Sequence, residues 1–400
     1  MAALGGLRDD ANGSVRALAL SAHPGHFPGM RIAVPNESSP GELRVALTPD
    51  SIARLVKAGH EVLIQAGAGT RAGFPDSAYS DVGATVVSAD ALYEGVTLVC
   101  RVQPPSPGET GKMPRELSLL SLLNPARNGP LLQQFAERGI TALALELVPR
   151  ITRAQSMDVL SSQSTVAGYK AVLVGAAALP KFLPMLTTAA GTVSPAKVFI
   201  IGAGVAGLQA IATARRLGGV VSAFDVRPAA REQVLSLGAT FLASDLVSAA
   251  SETSGGYAKA QSEDEAQRTR DLLAAHLSEM DLVVTTAQIP GRDAPRLITA
   301  AMVAGMKPGA VIVDLAAESG GNCELTRAGE TVQSGNVSIL GPTNLAASVP
   351  FHASQMFSKN VVALVTHLSK DGALVVDAAD EITGPMTVVR DGQVVSTPPR

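Results

Sequence analysis

Residues Val198–Arg227 read VFIIGAGVAGLQAIATARRLGGVVSAFDVR. Four apolar residues, Val198–Ile201, predict a buried strand, and Gly202, Gly204 and Gly207 follow at G-x-G-x-x-G spacing. A helical stretch from Val205 to Leu217 and a second strand, Val220–Phe224, complete a β-α-β unit ending on Asp225. This is a dinucleotide fingerprint in its structural context. Gly202 permits the tight turn, Gly204 lets backbone approach a pyrophosphate, and Gly207 lets helix and strand pack closely. The helix N-terminus offers unpaired N–H groups and partial positive charge to the anion. Asp225 lies eighteen residues after Gly207, where a carboxylate can accept from a ribose 2′-hydroxyl and repel a 2′-phosphate, so NAD(H) is expected rather than NADP(H). Arg227 is the counter-signal, since a nearby Arg can accommodate that phosphate.

The 400 residues suggest two or three domains. With 46% hydrophobic but only 3% aromatic residues, Ala, Val, Leu and Gly must fill the core, as in parallel α/β proteins. A net charge of −3 gives no electrostatic case for nucleic acid or an anionic membrane. Cys100 and Cys323 make neither a disulfide framework nor a metal cluster, and the six His show no metal-ligand spacing. No apolar run reaches the roughly 18 residues of a membrane span.

Residues 1–29 lack periodicity and are expected to be a disordered extension. From Met30, strands are expected at Ile32–Val34, His60–Gln65, Ala84–Val87, Thr97–Val102, Leu117–Leu122 and Ile140–Leu145, with helices after Thr48-Pro49 and at Pro130–Arg138. Residues 30–150, with about 370–400, form a first α/β domain. Residues 151–186 connect it to a nucleotide domain at 187–349, in which Thr187–Pro195 reads as a loop and Val337–Leu340 as the last strand. Residues 350–369 read as a return helix, and Thr387–Val389 with Gln393–Ser396 as a hairpin around Asp391-Gly392. The fold class expected is α/β, two Rossmann-like parallel-sheet domains joined by helices across a cleft.

The α/β pattern breaks at VPRITRAQSMDVLSSQSTVA, residues 148–167, which leads into the connector. Taken as helical from about Ala154, it places Gln155, Asp158, Ser161 and Ser162 on one face within an arc of about 120°. That face is either a solvated surface or a cleft lining. After helix Pro228–Leu237, residues 243–270 form a long insertion carrying Ser254-Gly255-Gly256-Tyr257 and Glu263-Asp264-Glu265, and a helix resumes at Arg270–Ser278. Thr285–Gly291 and Glu318–Asn322 follow strands at the carboxyl edge of the sheet, where cofactors bind.

The pattern PNE-x-x-PGE-x-RVALTP at residues 35–49, with GHEV and GAG after it, resembles the alanine dehydrogenase and nicotinamide nucleotide transhydrogenase superfamily. VPRITRAQSMDVLSS (148–162), AGY (167–169), AAGTV (189–193), GGYAK (255–259) and GNC (321–323) resemble its transhydrogenase α-subunit branch, over about residues 30–400. The resemblance implies the NAD(H)-binding domain of a proton-translocating transhydrogenase in its split-subunit bacterial form. Such a domain is a peripheral homodimer on the cytoplasmic face of the inner membrane. It exchanges hydride with NADP(H) on a β subunit while a membrane subunit moves protons. Arg150, Gln155, Asp158 and Ser161 would line the nicotinamide end. Gly202, Gly204, Val205 and Gly207 would hold the pyrophosphate, and Asp225, Val226 and Arg227 the adenosine ribose. Gly256 and Tyr257 would lie on a closing loop, and Thr286, Ala287 and Gln288 beside the ring. Gln288, Arg292, Pro342, Ala346 and Ser348 depart from the family pattern.

Direct hydride transfer between nicotinamides needs no general base, and residues 30–150 hold only Lys57, His60 and Lys112 among Lys and His. Alanine dehydrogenase, the alternative in the superfamily, uses a Lys and a His that match Arg101 and Leu122 here. A non-catalytic NAD(H)-binding module is the other alternative.

Overall fold

Short apolar runs early in the chain become β1 (Arg31–Val34), β2 (Glu61–Gln65), β3 (Thr85–Val87), β4 (Leu98–Cys100), β5 (Ser118–Ser121) and β6 (Thr141–Ala144). They form a parallel sheet in the order β6-β5-β4-β1-β2-β3. Thr387–Arg390 adds to β6 antiparallel and Gln393–Val394 closes a hairpin. The turn between them places Asp391 and Gly392 at φ 51° and 75°, the left-handed pair that matches strand twist. The coordinates are a computed structural model that describes residues 29–242, 263–288 and 292–395. They divide into two units: the described parts of Met1–Ser39, Val45–Asp158 and Ser358–Thr397, and of Pro40–Arg44, Val159–Phe357 and Pro398–Arg400.

In the first unit Thr48 precedes helix Pro49–Lys57, with Pro at its first position, but its hydroxyl does not cap the helix. It lies 3.4 Å from the hydroxyls of Ser51 and Ser358. The connector also departs from expectation. Thr152–Met157 is a 3-10 turn and Asp158 is extended, so the α-helix starts at Val159 and ends at Ala178. Gln155 and Asp158 therefore do not share a helical face with Ser161 and Ser162. Asp158 at φ −74°, ψ 90° breaks the helical run, and beside the break Asn360 Nδ2 donates to the Ser156 carbonyl at 2.7 Å, a long-range bond.

The second unit carries β7 (Lys197–Ile201), β8 (Val220–Phe224), β9 (Thr240–Phe241), β10 (Leu282–Thr285), β11 (Val311–Asp314), β12 (Thr331–Ser334) and β13 (Val337–Leu340). Their order is β9-β8-β7-β10-β11-β13-β12, parallel except for β12. Both faces are covered: Val198 and Ile200 pack with Ala210 and Ile211, and Phe199 and Ile201 with Leu273 and Leu277. Two-sided burial is why these strands read as unbroken apolar runs. The chain crosses from one side of β7 to the other between β9 and β10, so the switch point opens at the carboxyl ends of β7 and β10. Three expectations are corrected. Leu186–Thr188 and Gly191–Val193 form an exposed two-stranded ribbon rather than a loop. An antiparallel strand, β12, precedes the one expected last. The helix expected from Arg270 begins at Glu263, where the acidic run of the sequence suits a helix N-terminus.

Helix Val159–Ala178 packs against helix Val205–Arg216, with no room for a side chain at Gly168: an added Cβ would sit 2.0 Å from the Ala206 carbonyl oxygen. Gly168→Ala is expected to lower stability by about 1–3 kcal/mol by urea unfolding, and an unchanged midpoint would contradict this contact. On the other face, His276 Nε2 lies 2.8 Å from Ser222 Oγ and its ring stands edge-on to Phe199. Burial holds its pKa below 6.5, with Glu279 opposing and Lys197 adding. The unfolded chain then gains a proton near pH 6.5 that the folded chain refuses. Stability from this site is full above that pH and falls below it until the folded imidazole also protonates. His276→Gln is expected to flatten that slope in pH-dependent unfolding.

Candidate functional site

Gly202 leaves β7 at φ 93°. A Cβ there would lie 2.6 Å from Thr286 Oγ1, and one at Gly207 1.8 Å from the Gly202 carbonyl oxygen. Helix Val205–Arg216 thus starts against the strand end, a proximity available only to glycine. Gly204 differs: the nearest atom to an added Cβ is Arg227 Nη2 at 3.9 Å. The turn is closed beneath and open above, and the helix N-terminus faces the open side of Gly204, its N-cap. Such an opening suits a phosphate group.

Adjacent elements fix this turn. Gly202 N–H donates to the Phe224 carbonyl at 2.8 Å and Thr286 N–H to the Ile201 carbonyl at 2.8 Å. Thr286 Oγ1 donates to the Gly202 carbonyl at 2.9 Å. Asp225, 6% exposed, accepts from Ala203 N–H at 2.7 Å and Arg227 N–H at 2.8 Å. Arg227 Nε and Nη2 close on the same carboxylate at 3.0 and 2.8 Å. The acid therefore orders the glycine turn and holds an Arg beside it. Val226 packs on the apolar layer that includes Phe224, and Val205 is exposed at the helix start.

Thr286, Ala287 and Gln288 follow β10 at the same edge. Asn322, fully buried, accepts from Ala287 N–H at 3.0 Å and donates to the carbonyls of Ala287 and Pro295 at 2.8 and 2.9 Å. Gln288 is exposed and donates to the Leu315 carbonyl at 3.1 Å. Asp314, at the end of β11, accepts from Thr285 Oγ1, Ala316 N–H, Cys323 N–H and Thr326 Oγ1 at 2.7–3.0 Å. The braces Asn322 and Asp314 were not singled out from sequence. An Asp closing the apolar run VIVD was the available signal for one, and the GNC motif for the other. Gly256 and Tyr257 lie outside the described residues.

Arg150, Gln155 and Asp158 belong to the first unit and Ser161 to the second. Arg150 and Gln155 are exposed, Asp158 and Ser161 half-buried. The Gln155 carbonyl accepts from Asp158 N–H at 3.3 Å, closing the 3-10 turn. Ser161 lies in the first turn of its helix, its carbonyl accepting from Thr165 Oγ1 at 3.0 Å.

At the carboxyl edge of the first sheet Arg101 is fully buried. Its Nη1 is 3.0 Å from Glu109 and its Nη2 3.7 Å from Glu37. Burial pushes the Glu109 carboxyl up, but Ser106 N–H, Arg101 and the Ser38 and Ser106 hydroxyls outweigh it and bring it down to about 2. His60 is buried, its pKa lowered by that burial, with Nδ1 accepting from Met30 N–H at 3.1 Å. Leu122 carries no titratable group. Among the described residues no group of three or more His, Cys, Asp or Glu could hold a metal, and no helix is long and apolar enough to cross a membrane.

Two family models match the chain: the alanine dehydrogenase/PNT N-terminal domain over residues 33–167 and the C-terminal domain over 171–397. The chain is 46% identical over 376 residues to a protein named as the first portion of the NAD(P) transhydrogenase subunit alpha of Rhodospirillum rubrum, covering 92% of this chain and 98% of that one. It is 33% identical over 304 residues to the alanine dehydrogenase of Mycobacterium tuberculosis, covering 74% and 75%. The solved structure of transhydrogenase from Sinorhizobium meliloti matches with a TM-score of 0.84 at 42% identity, covering 91% of this chain and all of that one.

Asp225→Ala is expected to weaken NADH binding by about 1–3 kcal/mol and to strengthen NADPH binding, because the carboxylate that would repel a 2′-phosphate beside Arg227 is removed. Fluorescence titration with both nucleotides checks this, and an unchanged preference would place ribose selection elsewhere.

Proposed function

Because the chain belongs to the alanine dehydrogenase/PNT family, we propose that it is the NAD(H)-binding component of a proton-translocating NAD(P) transhydrogenase. Its second unit holds NAD(H) on the glycine turn, and an NADP(H)-binding β subunit supplies the second nicotinamide. When bound, the two nicotinamides exchange a hydride directly between their C4 carbons, so one is oxidised as the other is reduced and no proton leaves either carbon. The protein's task is then to align and dry the reacting atoms. Gln155 is assigned to alignment towards the second ring, with Arg150, Asp158 and Ser161 at the nicotinamide end. Gly202, Gly204, Val205 and Gly207 hold the pyrophosphate, Asp225, Val226 and Arg227 the ribose, and Thr286, Ala287 and Gln288 border the ring. Gly256 and Tyr257 close over it.

The observation that favours this reading over amino-acid oxidation is the state of Arg101. Oxidative deamination needs a cation for the substrate carboxylate and a group to exchange a proton. Here that cation is buried between Glu37 and Glu109, and Leu122 stands where a proton carrier would be needed. His60 is occupied as an internal acceptor.

The Rhodospirillum relative is named as one portion of a subunit alpha, which supports partner chains, and we assign proton movement to a membrane subunit among them. The protein would then sit peripherally on the cytoplasmic face of the inner membrane. Exposed apolar groups on and beside the ribbon, Phe182 at 59%, Met185 at 63% and Val193 at 44%, support a homodimer.

The test mixes the purified chain with an NADPH-loaded β-subunit domain and follows reduction of an acetylpyridine analogue of NAD. Exchange is expected only after mixing. Gln155→Asn is expected to slow it while NADH affinity stays nearly constant. Oxidation of L-alanine by the chain alone, or NADH binding without exchange beside a proven partner, would overturn the proposal.

A further inference from the structure

Glu42 and Arg44 are buried, 0% and 3% exposed, in a short segment that belongs to the second unit. Arg44 Nε and Nη2 grip the Glu42 carboxylate at 2.7 and 2.6 Å. The pair is fastened to two other parts of that unit. Arg44 Nη1 donates to Gln163 Oε1 at 2.8 Å, and Nη2 to Asn344 Oδ1 at 3.0 Å. Asn344 Nδ2 returns a bond to Glu42 Oε2 at 3.0 Å. Gln163 Nε2 donates to the Ala353 carbonyl at 3.1 Å and to Ser162 Oγ at 3.3 Å.

The two fastened points matter for the site. Gln163 lies two residues beyond Ser161, near the start of helix Val159–Ala178. Asn344 follows β13 at the carboxyl edge, in the left-handed region at φ 45°, ψ 44°. Its N–H points to Glu318 Oε2 at 3.4 Å, in the loop after β11. Val166, Ala346 and Ala353 pack together beside this network. A buried ion pair is a weak source of net stability, and its attested use is to fix one arrangement among alternatives. Here it fixes the register of the Ser161 turn against the Gly341–Asn344 loop.

We propose that Glu42, Arg44, Gln163 and Asn344 are positioning residues for the nicotinamide end of the NAD(H) site, acting through Ser161 and the loop after β13 rather than by touching the nucleotide. The inference rests on the reading that NAD(H) binds this unit with Ser161 at its nicotinamide end. It separates two quantities that a merely structural network would move together: holding the nucleotide and aiming its ring.

Asn344→Gly tests it without destroying the fold. Glycine keeps the left-handed backbone, and Glu42 keeps its Arg44 partner, so no buried charge is stranded. Hydride exchange with the NADPH-loaded partner domain is expected to slow about tenfold, with NADH affinity within about twofold of wild type. Gln163→Met, which breaks the other fastening, is expected to do the same. A second readout needs no partner: transferred NOEs of bound NAD⁺. Adenosine NOEs should persist in the variant while those across the nicotinamide–ribose bond weaken. Equal loss at both ends, or no loss at either, would overturn the proposal. If the wild-type chain binds NAD⁺ but exchanges no hydride, the transhydrogenase reading fails, and the NOE comparison still decides this one.

Discussion

The contact on which the second unit depends is the approach of helix Val205–Arg216 to the end of β7. A Cβ at Gly207 would fall 1.8 Å from the Gly202 carbonyl oxygen, so the helix can start there only because that position has no side chain. Everything around the turn serves the same geometry. Thr286 ties β10 to the turn, Asp225 accepts from Ala203 within it, and Asn322 braces the chain beyond Thr286. The result is a fixed floor with Gly204 open above it, an arrangement of helix polarity and exposed backbone that suits an anion at little reorganisation cost.

Buried charge is handled consistently through both units. Arg101, Arg44 and Arg227 are each neutralised by carboxylates within the same unit, and Asp314 is satisfied by N–H and O–H donors. Arg101, Arg44 and Asp314 thereby orient neighbouring backbone rather than offer themselves to a substrate, whereas Arg227 stays partly exposed beside the glycine turn. That economy suits hydride exchange, whose demands are alignment and exclusion of water, more than a reaction that must bind a free carboxylate and shuttle a proton.

The sheet strands were readable because most are apolar along their length. Those missed are ones that burial does not mark: β12, with sequence TVQS, and the exposed ribbon at Leu186–Val193. The fingerprint was readable because its glycines answer to local sterics. The break at Asp158 was not: it lies in the backbone of Asp158 itself, beside a bond from Asn360, about two hundred residues away in sequence, to the Ser156 carbonyl. The Arg227 grip on Asp225 could have been inferred from two residues of separation. The Asn322 brace and the ties from the Glu42–Arg44 pair to Gln163 and Asn344 could not, because those partners lie 27 to 302 residues apart. Short-range geometry and two-sided burial leave a mark in sequence, whereas long-range polar pairing leaves only an unexplained polar residue.

We assign the glycine turn and Asp225 together as an NAD(H) site. Its most direct measurement is parallel titration of the wild-type chain with NADH and NADPH, followed by nucleotide fluorescence. Saturable NADH binding and much weaker NADPH binding are expected, because the 2′-phosphate would meet the Asp225 carboxylate. Equal binding of both, or binding of neither, would contradict it.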